Sequence, residues 1–174
     1  MYVAMFIKSF FRPKLNEDLD NWCGGTGDML AFDWKGDAYP CVRYMESSLA
    51  GQVEPYIIGN LTDGLYQLPE HKERAKYLDS IDRRTQSTDE CFNCPIAEGC
   101  SWCSAWNYQE NGDPNIRSTN ICNAHKARSL ANVYYWNKRY PDVQFKMYLS
   151  KEEALKFIPE EEYNMLYELQ KERE

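Results

Sequence analysis

Seven cysteines carry the chemistry of this chain: Cys23, Cys41, Cys91, Cys94, Cys100, Cys103 and Cys122. Their spacing is Cys23-x12-Gly36-x4-Cys41, then Cys91-x2-Cys94-x5-Cys100-x2-Cys103, then Cys122. Two residues between thiols let both sulfurs turn toward one metal centre without strain. Four thiols inside 13 residues can close one tetrahedral site. With Cys122 and the distant pair, the set suffices for two interleaved sites. An odd count leaves one thiol over if the rest pair as disulfides, and close spacing in a reducing compartment reads as metal binding first. Structural zinc is the plain alternative, but the halves of a four-cysteine zinc module usually stand about 15–20 residues apart. Here five residues separate Cys94 from Cys100. That spacing is nearer to ferredoxin-type clusters and favours iron–sulfur over zinc, with disulfides last.

Local elements must bring these positions together. Residues 29–33 read as a strand, 34–36 as a turn and 37–40 as the returning strand, so Cys41 comes back toward the Gly-rich loop Cys23-Gly24-Gly25-Thr26-Gly27. Gly59-Asn60 and Asp63-Gly64 are breakers. The pattern predicts a helix over 69–84 with Pro69 in its first turn, a polar link over 85–90, and a helix over 119–139 that places Cys122 in its first turn. A helix N-terminus there favours the thiolate. Between Cys91 and Cys122 the other large apolar residues are few: Phe92, Ile96, Trp102, Trp106, Tyr108, Ile116 and Ile121. So small a core does not offset the entropy of ordering the stretch, and thiolate–metal bonds are the natural supplement. Val3, Phe6, Ile7, Phe10 and Phe11 make one apolar stripe of an N-terminal helix ended by Pro13, followed by an acidic linker at 16–20. Ser150-Lys151-Glu152-Glu153 resembles a capping box at the head of a charged helical C-terminal part, interrupted by Pro159.

Composition narrows the class. The chain has 174 residues and a net charge of −7, with a pI near 5.0 and a mean hydropathy of −0.70. Acidic balance argues against nucleic-acid binding and against docking on an anionic membrane, both of which need clustered Lys and Arg. No apolar run is long enough to span a bilayer. Val3 to Ile7 has no basic residue before it and no cleavage site after it, so no secretory signal is read and a cytoplasmic address is expected.

The cysteine order resembles the SPASM domain found at the C-terminal end of many radical S-adenosylmethionine enzymes. The family usually has three residues before its sixth cysteine, where this chain has Ser101 and Trp102. The loop 21–27 and the return Tyr39-Pro40-Cys41-Val42-Arg43-Tyr44-Met45 look like the subset that matures ribosomally made peptides. The resemblance covers residues 20–140 and implies two auxiliary [4Fe-4S] clusters. One would be held by Cys23, Cys41 and Cys103, the other by Cys91, Cys94, Cys100 and Cys122. Some members have a further cysteine upstream of the first; here the stretch Asn16-Glu17-Asp18-Leu19-Asp20 has none. The first cluster would then have an open iron for Asp18, Asp20, water or a substrate thiolate. In related thioether-forming enzymes such an iron binds the peptide's cysteine. The Cys-x3-Cys-x2-Cys signature of the catalytic cluster is absent, and the length does not accommodate a (β/α) barrel beside this domain. The chain is therefore expected to be a C-terminal piece or stand-alone relative that is not catalytic alone, with S-adenosylmethionine used only by a full-length parent.

The expected fold class is α+β: a small hairpin plus helices organised around two Cys-ligated clusters, with a helical extension. The expected boundaries are 1–19, an N-terminal helix and linker; 20–140, the cluster-binding domain; and 141–174, the charged extension. The expected function is electron transfer, substrate-thiolate anchoring or both within a radical peptide-modifying enzyme. The partners would be a substrate peptide and a radical barrel domain. The alternative is a structural zinc module without redox role. Trp22, Trp102 and Trp106 flank ligands, where they either pack or shield a cluster from water. Arg43 and Tyr44 follow a ligand and are placed to meet a peptide carboxylate or a neighbouring acid. His125 lies three residues after Cys122, as a supporting group or an alternative ligand. Asp63, Asp79 and Asp82 form no spaced carboxylate dyad, and Ser101 and Ser104 have no nearby base to make them nucleophiles.

Overall fold

A computed structural model describes residues 11–20, 23–98, 100, 102–140 and 146–171. The expected N-terminal helix lies outside these residues except for Phe11, whose φ of 67° is left-handed. By their contacts the residues form two units, each with its own core: Glu17–Phe92 with Trp102–Ser118, and Met1–Asn16 with Asn93–Ser101 and Thr119–Glu174. Residues 20–140 thus contribute to both.

The first unit is built on a small antiparallel sheet of β1 (Ala31–Phe32), β2 (Asp37–Tyr39), β3 (Gly59–Asn60) and β4 (Gly64–Leu65), in that order. Ala31 pairs with Tyr39, Ala38 with Gly59, and Gly59 with Leu65. The expected hairpin is present. Its turn is fixed by the Asp33 carboxylate, which accepts the Lys35 N–H at 2.9 Å and the Asp37 N–H at 3.0 Å. Gly36 supplies the φ of 85° that the turn requires. The β3–β4 hairpin grows from residues whose breaker signal hid a strand pair. A Cβ on Gly59 would stand 2.7 Å from Leu65 Cα, so only glycine lets these two backbones approach. Helices α1 (Glu46–Leu49), α2 (Pro69–Asp79), α3 (Arg83–Gln86), α4 (Asp89–Phe92) and α5 (Ser104–Asn111) complete the unit.

The helix expected over 69–84 stops at Asp79. The chain is extended at Asp82, whose side chain accepts the Thr85 N–H at 2.7 Å and starts α3 as its cap. The expected polar link over 85–90 is therefore partly helical. Sequence reading also passed over α5, because its N-cap is a thiol: Cys103 Sγ accepts the Trp106 N–H at 3.4 Å. The core gathers Ala38, Tyr39, Cys41, Tyr44, Tyr56, Ile58, Leu78, Ile81 and Ala105. Tyr44, Tyr56 and Tyr108 contact one another ring to ring, with centroids 5.1 to 5.9 Å apart.

The second unit contains α6 (Cys122–Arg139), α7 (Lys151–Ala154) and α8 (Glu160–Lys171). Helix α6 begins at Cys122, three residues after the expected start at 119, and Cys122 lies in its first turn as expected. Ser150 caps α7 by accepting the Glu153 N–H at 3.2 Å, and Pro159 separates α7 from α8. Phe11, Ile96, Leu130, Leu149 and Ala154 make the core, and Lys126 pairs with Glu153 at 2.6 Å. The fold class is α+β. Among the described residues no helix is long and apolar enough to cross a membrane.

Candidate metal centre

In the first unit three segments far apart in sequence converge on the Gly-rich loop. Residues 24–26 form a 3-10 turn, held in part by Thr26 Oγ1 donating to the Cys23 carbonyl at 3.1 Å. The β1–β2 hairpin delivers Cys41, and the start of α5 delivers Cys103 and Ser104. Gly25 is the meeting point. A Cβ built there would stand 3.4 Å from Cys23 Sγ, 3.5 Å from Cys41 Sγ and 3.5 Å from Ser104 Oγ. Two thiols and a hydroxyl thus lie within ordinary van der Waals reach of one point. Cys103 is close enough to act electrostatically on Cys41 and Tyr44. Burial, assisted by the neighbouring Cys103 and Cys23, pushes the Cys41 thiol above the usual cysteine range. A soft cation would reverse that preference, since metal binding displaces the thiol proton.

The polar surroundings of these thiols are rich in donors. Tyr44 is fully buried beside Cys41 and Cys103, and burial pushes its phenol well above the usual tyrosine range. Tyr44 OH and Ser104 Oγ are buried near enough to interact with each other, and Trp102 Nε1 is buried with no hydrogen-bond partner among the described residues. By residue type, the thiols of Cys23, Cys41 and Cys103 are suited to a soft metal group.

No family model, curated protein or solved structure matches the chain. Among the described residues no three His, Cys, Asp or Glu side chains are arranged to hold one metal ion. That arrangement concerns a single ion, whose ligands are drawn together by bonds of about 2.3 Å in the zinc case. A cluster gives each thiolate its own iron, so its ligands stand further apart.

The other expected ligands divide between the units. Cys94, Cys100 and Cys122 belong to the second, and Cys91 belongs to the first. None of the seven cysteines is joined in a disulfide. In the second unit the Ala97 N–H donates to the Cys94 carbonyl and the Cys100 N–H to the Ala97 carbonyl, each at 3.1 Å. These two bonds curl the Cys94–Cys100 loop. Cys94 and Cys122 both lie near enough to Lys126 to hold its ammonium toward the charged form, after the larger effect of its Glu153 hydrogen bond. His125 is buried, and its Nε2 donates to the Ile96 carbonyl at 3.0 Å while its ring packs 4.9 Å from Phe11. It therefore acts on the loop between the two cysteines. His125→Ala removes a buried hydrogen bond and a ring contact, so a loss of about 2–3 kcal/mol in denaturant unfolding is expected; a loss under about 0.5 kcal/mol would remove it from this role.

Asp18 and Asp20 are engaged locally: Asp18 Oδ1 accepts the Asp20 N–H at 3.2 Å. Trp106 Nε1 donates to Glu110 at 3.2 Å, and Arg43 lies in the 3-10 turn that follows Cys41. Asp79 lines a cleft of about 330 Å³ in the first unit, together with Lys76, Tyr66, Met29, Pro40 and Gly27. Trp22 and Ser101 lie outside the described residues. Sequence reasoning missed Ser104 as a neighbour of thiols. The serine directly follows a ligand cysteine, and the adjacency alone was its signal.

Proposed function

We propose that the chain is an iron–sulfur module: an auxiliary [4Fe-4S]-binding domain that serves a radical peptide-modifying enzyme by accepting electrons, anchoring a substrate thiolate, or both. The observation that carries the reading is the convergence of Cys23, Cys41 and Ser104 on the Cβ position that Gly25 leaves free. In this reading Cys23, Cys41 and Cys103 hold one cluster. Cys94, Cys100 and Cys122 hold the other, with Cys91 joined to them by its two-residue spacing from Cys94. The clusters would supply one-electron redox chemistry. The protein's own part is to bury the thiolates, aim donors at sulfur and exclude water, which together set the potential. The partners would be a peptide and a radical-generating barrel domain in the cytoplasm. The cleft beside Pro40 and Gly27, with the opposite charges of Lys76 and Asp79 on its wall, is a place where a peptide backbone could lie.

Anaerobic purification and reconstitution test the reading. Brown protein with broad visible absorption and about eight iron and eight sulfide per chain is expected for two four-iron clusters. Colourless protein with about two zinc per chain and no sulfide would replace it with the structural-zinc reading.

A further inference from the structure

We propose that the open edge of β1 is a docking strand for an extended, cationic peptide segment, which adds to the sheet beside Leu30 and Phe32. The inference says where the peptide of the reading above would be held, and rests on that reading only for a peptide being the partner.

The ladder decides which backbone groups face outward. The Asp33 N–H donates to the Asp37 carbonyl at 3.1 Å, and the Ile58 N–H donates to the Ala38 carbonyl at 2.8 Å. Ala38 therefore directs its backbone groups toward β3, and Phe32, its partner in β1, turns its own N–H and carbonyl away from the sheet. The same alternation turns those of Leu30 outward. Among the described residues no backbone group outside the ladder bonds to either residue. Both side chains are exposed, as are Met29 before them and Trp34 in the turn that follows, the last at 89%. Leu30 and Phe32 stand two apart, so they present one apolar face along this edge. The opposite edge differs. The Leu65 carbonyl of β4 accepts the Gln67 side-chain amide at 3.4 Å, so that edge is covered by its own chain. An apolar edge left unpaired is a template for another strand.

Charge selects the occupant. Residues 28–37 carry Asp28, Asp33 and Asp37 against one cation, Lys35, whose ammonium lies 5.5 Å from the centre of the Trp34 ring. Glu46 adds to the same field: burial, the hydrogen bond to Asp33 and the charges of Asp33, Asp37 and Glu46 push the Tyr39 phenol up to about 12. A second copy pairing through β1 would set these acids against their own equivalents, which like-charge repulsion opposes. A strand bearing Lys or Arg meets the opposite charge instead. Main-chain bonds along the edge give the affinity, and alternate side chains give the selectivity. Met29, at the head of the edge, also lines the cleft that holds Lys76 and Asp79, so a peptide laid along β1 continues toward it.

The test uses the full chain, purified anaerobically with its iron counted, and a fluorescein-labelled synthetic peptide of alternating Lys and Val, with alternating Glu and Val as the control. Binding is read by fluorescence anisotropy. Wild type is expected to bind the Lys-Val peptide about tenfold or more tightly than the Glu-Val peptide, and less tightly as salt is added. F32A and F32P isolate the main-chain pairing. Both lose the ring, but only proline lacks the outward N–H, and no ladder bond is lost at that position. F32P is expected to bind about tenfold more weakly than F32A. Equal binding by these two variants would overturn the proposal, as would a wild type that binds neither peptide or both alike. Should F32P not fold, hydrogen exchange in wild type decides: saturating Lys-Val peptide is expected to slow the Leu30 and Phe32 amides, and unchanged exchange counts against the edge. Protection of those amides in concentrated protein without peptide, lost on dilution, would give the edge to a second copy and overturn the proposal too. The iron count keeps the two readings apart. Iron-free protein that binds the peptide removes the cluster and keeps the edge, whereas iron-loaded protein that does not bind it removes the edge alone.

Discussion

Cys23→Ala is expected to cut the iron of anaerobically loaded protein from about eight to about four atoms per chain, and Cys94→Ala to do the same at the other centre. The argument is topological. Cys23, Cys41 and Cys103 belong to the unit built on the sheet, whereas Cys94, Cys100 and Cys122 belong to the unit built on α6. Each unit has its own core, so losing a ligand in one leaves the scaffold of the other standing. The double variant should then be nearly free of iron. Cys91 is the discriminating position. By contacts it belongs with Cys23, but its two-residue spacing ties it to Cys94. If spacing governs, Cys91→Ala combined with Cys94→Ala retains about four iron, because both act on one centre. If that pair strips the protein instead, Cys91 serves the Gly25 site. Loss of all iron from either Cys23→Ala or Cys94→Ala alone would contradict two separate centres.

Much of the frame that positions these residues is legible in the sequence where a local rule decides it. The hairpin over 29–40 follows from a turn that Asp33 and Gly36 specify between two short apolar runs. Helix α6 follows from its apolar periodicity and ends at Arg139 as expected, although it begins at Cys122 rather than at 119. The rest depends on contacts between distant segments or on unusual caps. The break between α2 and α3 is set by Asp82 turning its carboxylate onto Thr85 N–H, while the apolar pattern alone continues through it. Helix α5 starts at a sulfur cap, which lies outside the usual Ser, Thr, Asp and Asn signals. Gly59 reads as a breaker, yet its role is to admit a neighbouring strand within reach of its backbone. For the site, residue type and spacing mark the thiols, and the hairpin already brings Cys41 toward Cys23. Ser104 is different. Judged as a nucleophile it has no base and is set aside, and its place beside the thiols emerges only once α5 and the Gly-rich loop meet at Gly25. The interleaving of the two units is equally hidden, since it turns on which core residues 93–101 join.

Arg83→Ala is expected to destabilise the protein by about 3–4 kcal/mol, read as a lowered urea midpoint, from charge-assisted hydrogen bonds worth about 1.5–3 kcal/mol each and from lost packing. Arg83 is only 5% exposed, and its setting explains why a charge is tolerated there. Nη1 donates to the Asp18 carbonyl at 3.1 Å and Nη2 donates to the Phe92 carbonyl. The guanidinium carbon lies 4.1 Å from the centre of the Phe92 ring, a cation–π placement. Its backbone N–H adds a bond to the Leu19 carbonyl at 3.0 Å. One side chain therefore ties the strand of chain entering the Cys23 loop to the residue that follows Cys91. Arg83→Lys keeps the charge, but its single ammonium lacks the planar fork that serves two carbonyls at once. It should recover about half of the loss, around 1.5–2 kcal/mol. Arg83→Met retains the apolar stem and loses every donor, so it should fall near the alanine variant if hydrogen bonding dominates and near the lysine variant if packing does. A loss below about 1 kcal/mol for Arg83→Ala would mean that water serves both carbonyls in its absence and that the tie is dispensable. With the tie intact, the expected consequence extends to the site: weakening the run from Asp18 to Cys23 lets the Gly-rich loop open, and iron should leave the Arg83→Ala protein faster under chelator than it leaves wild type.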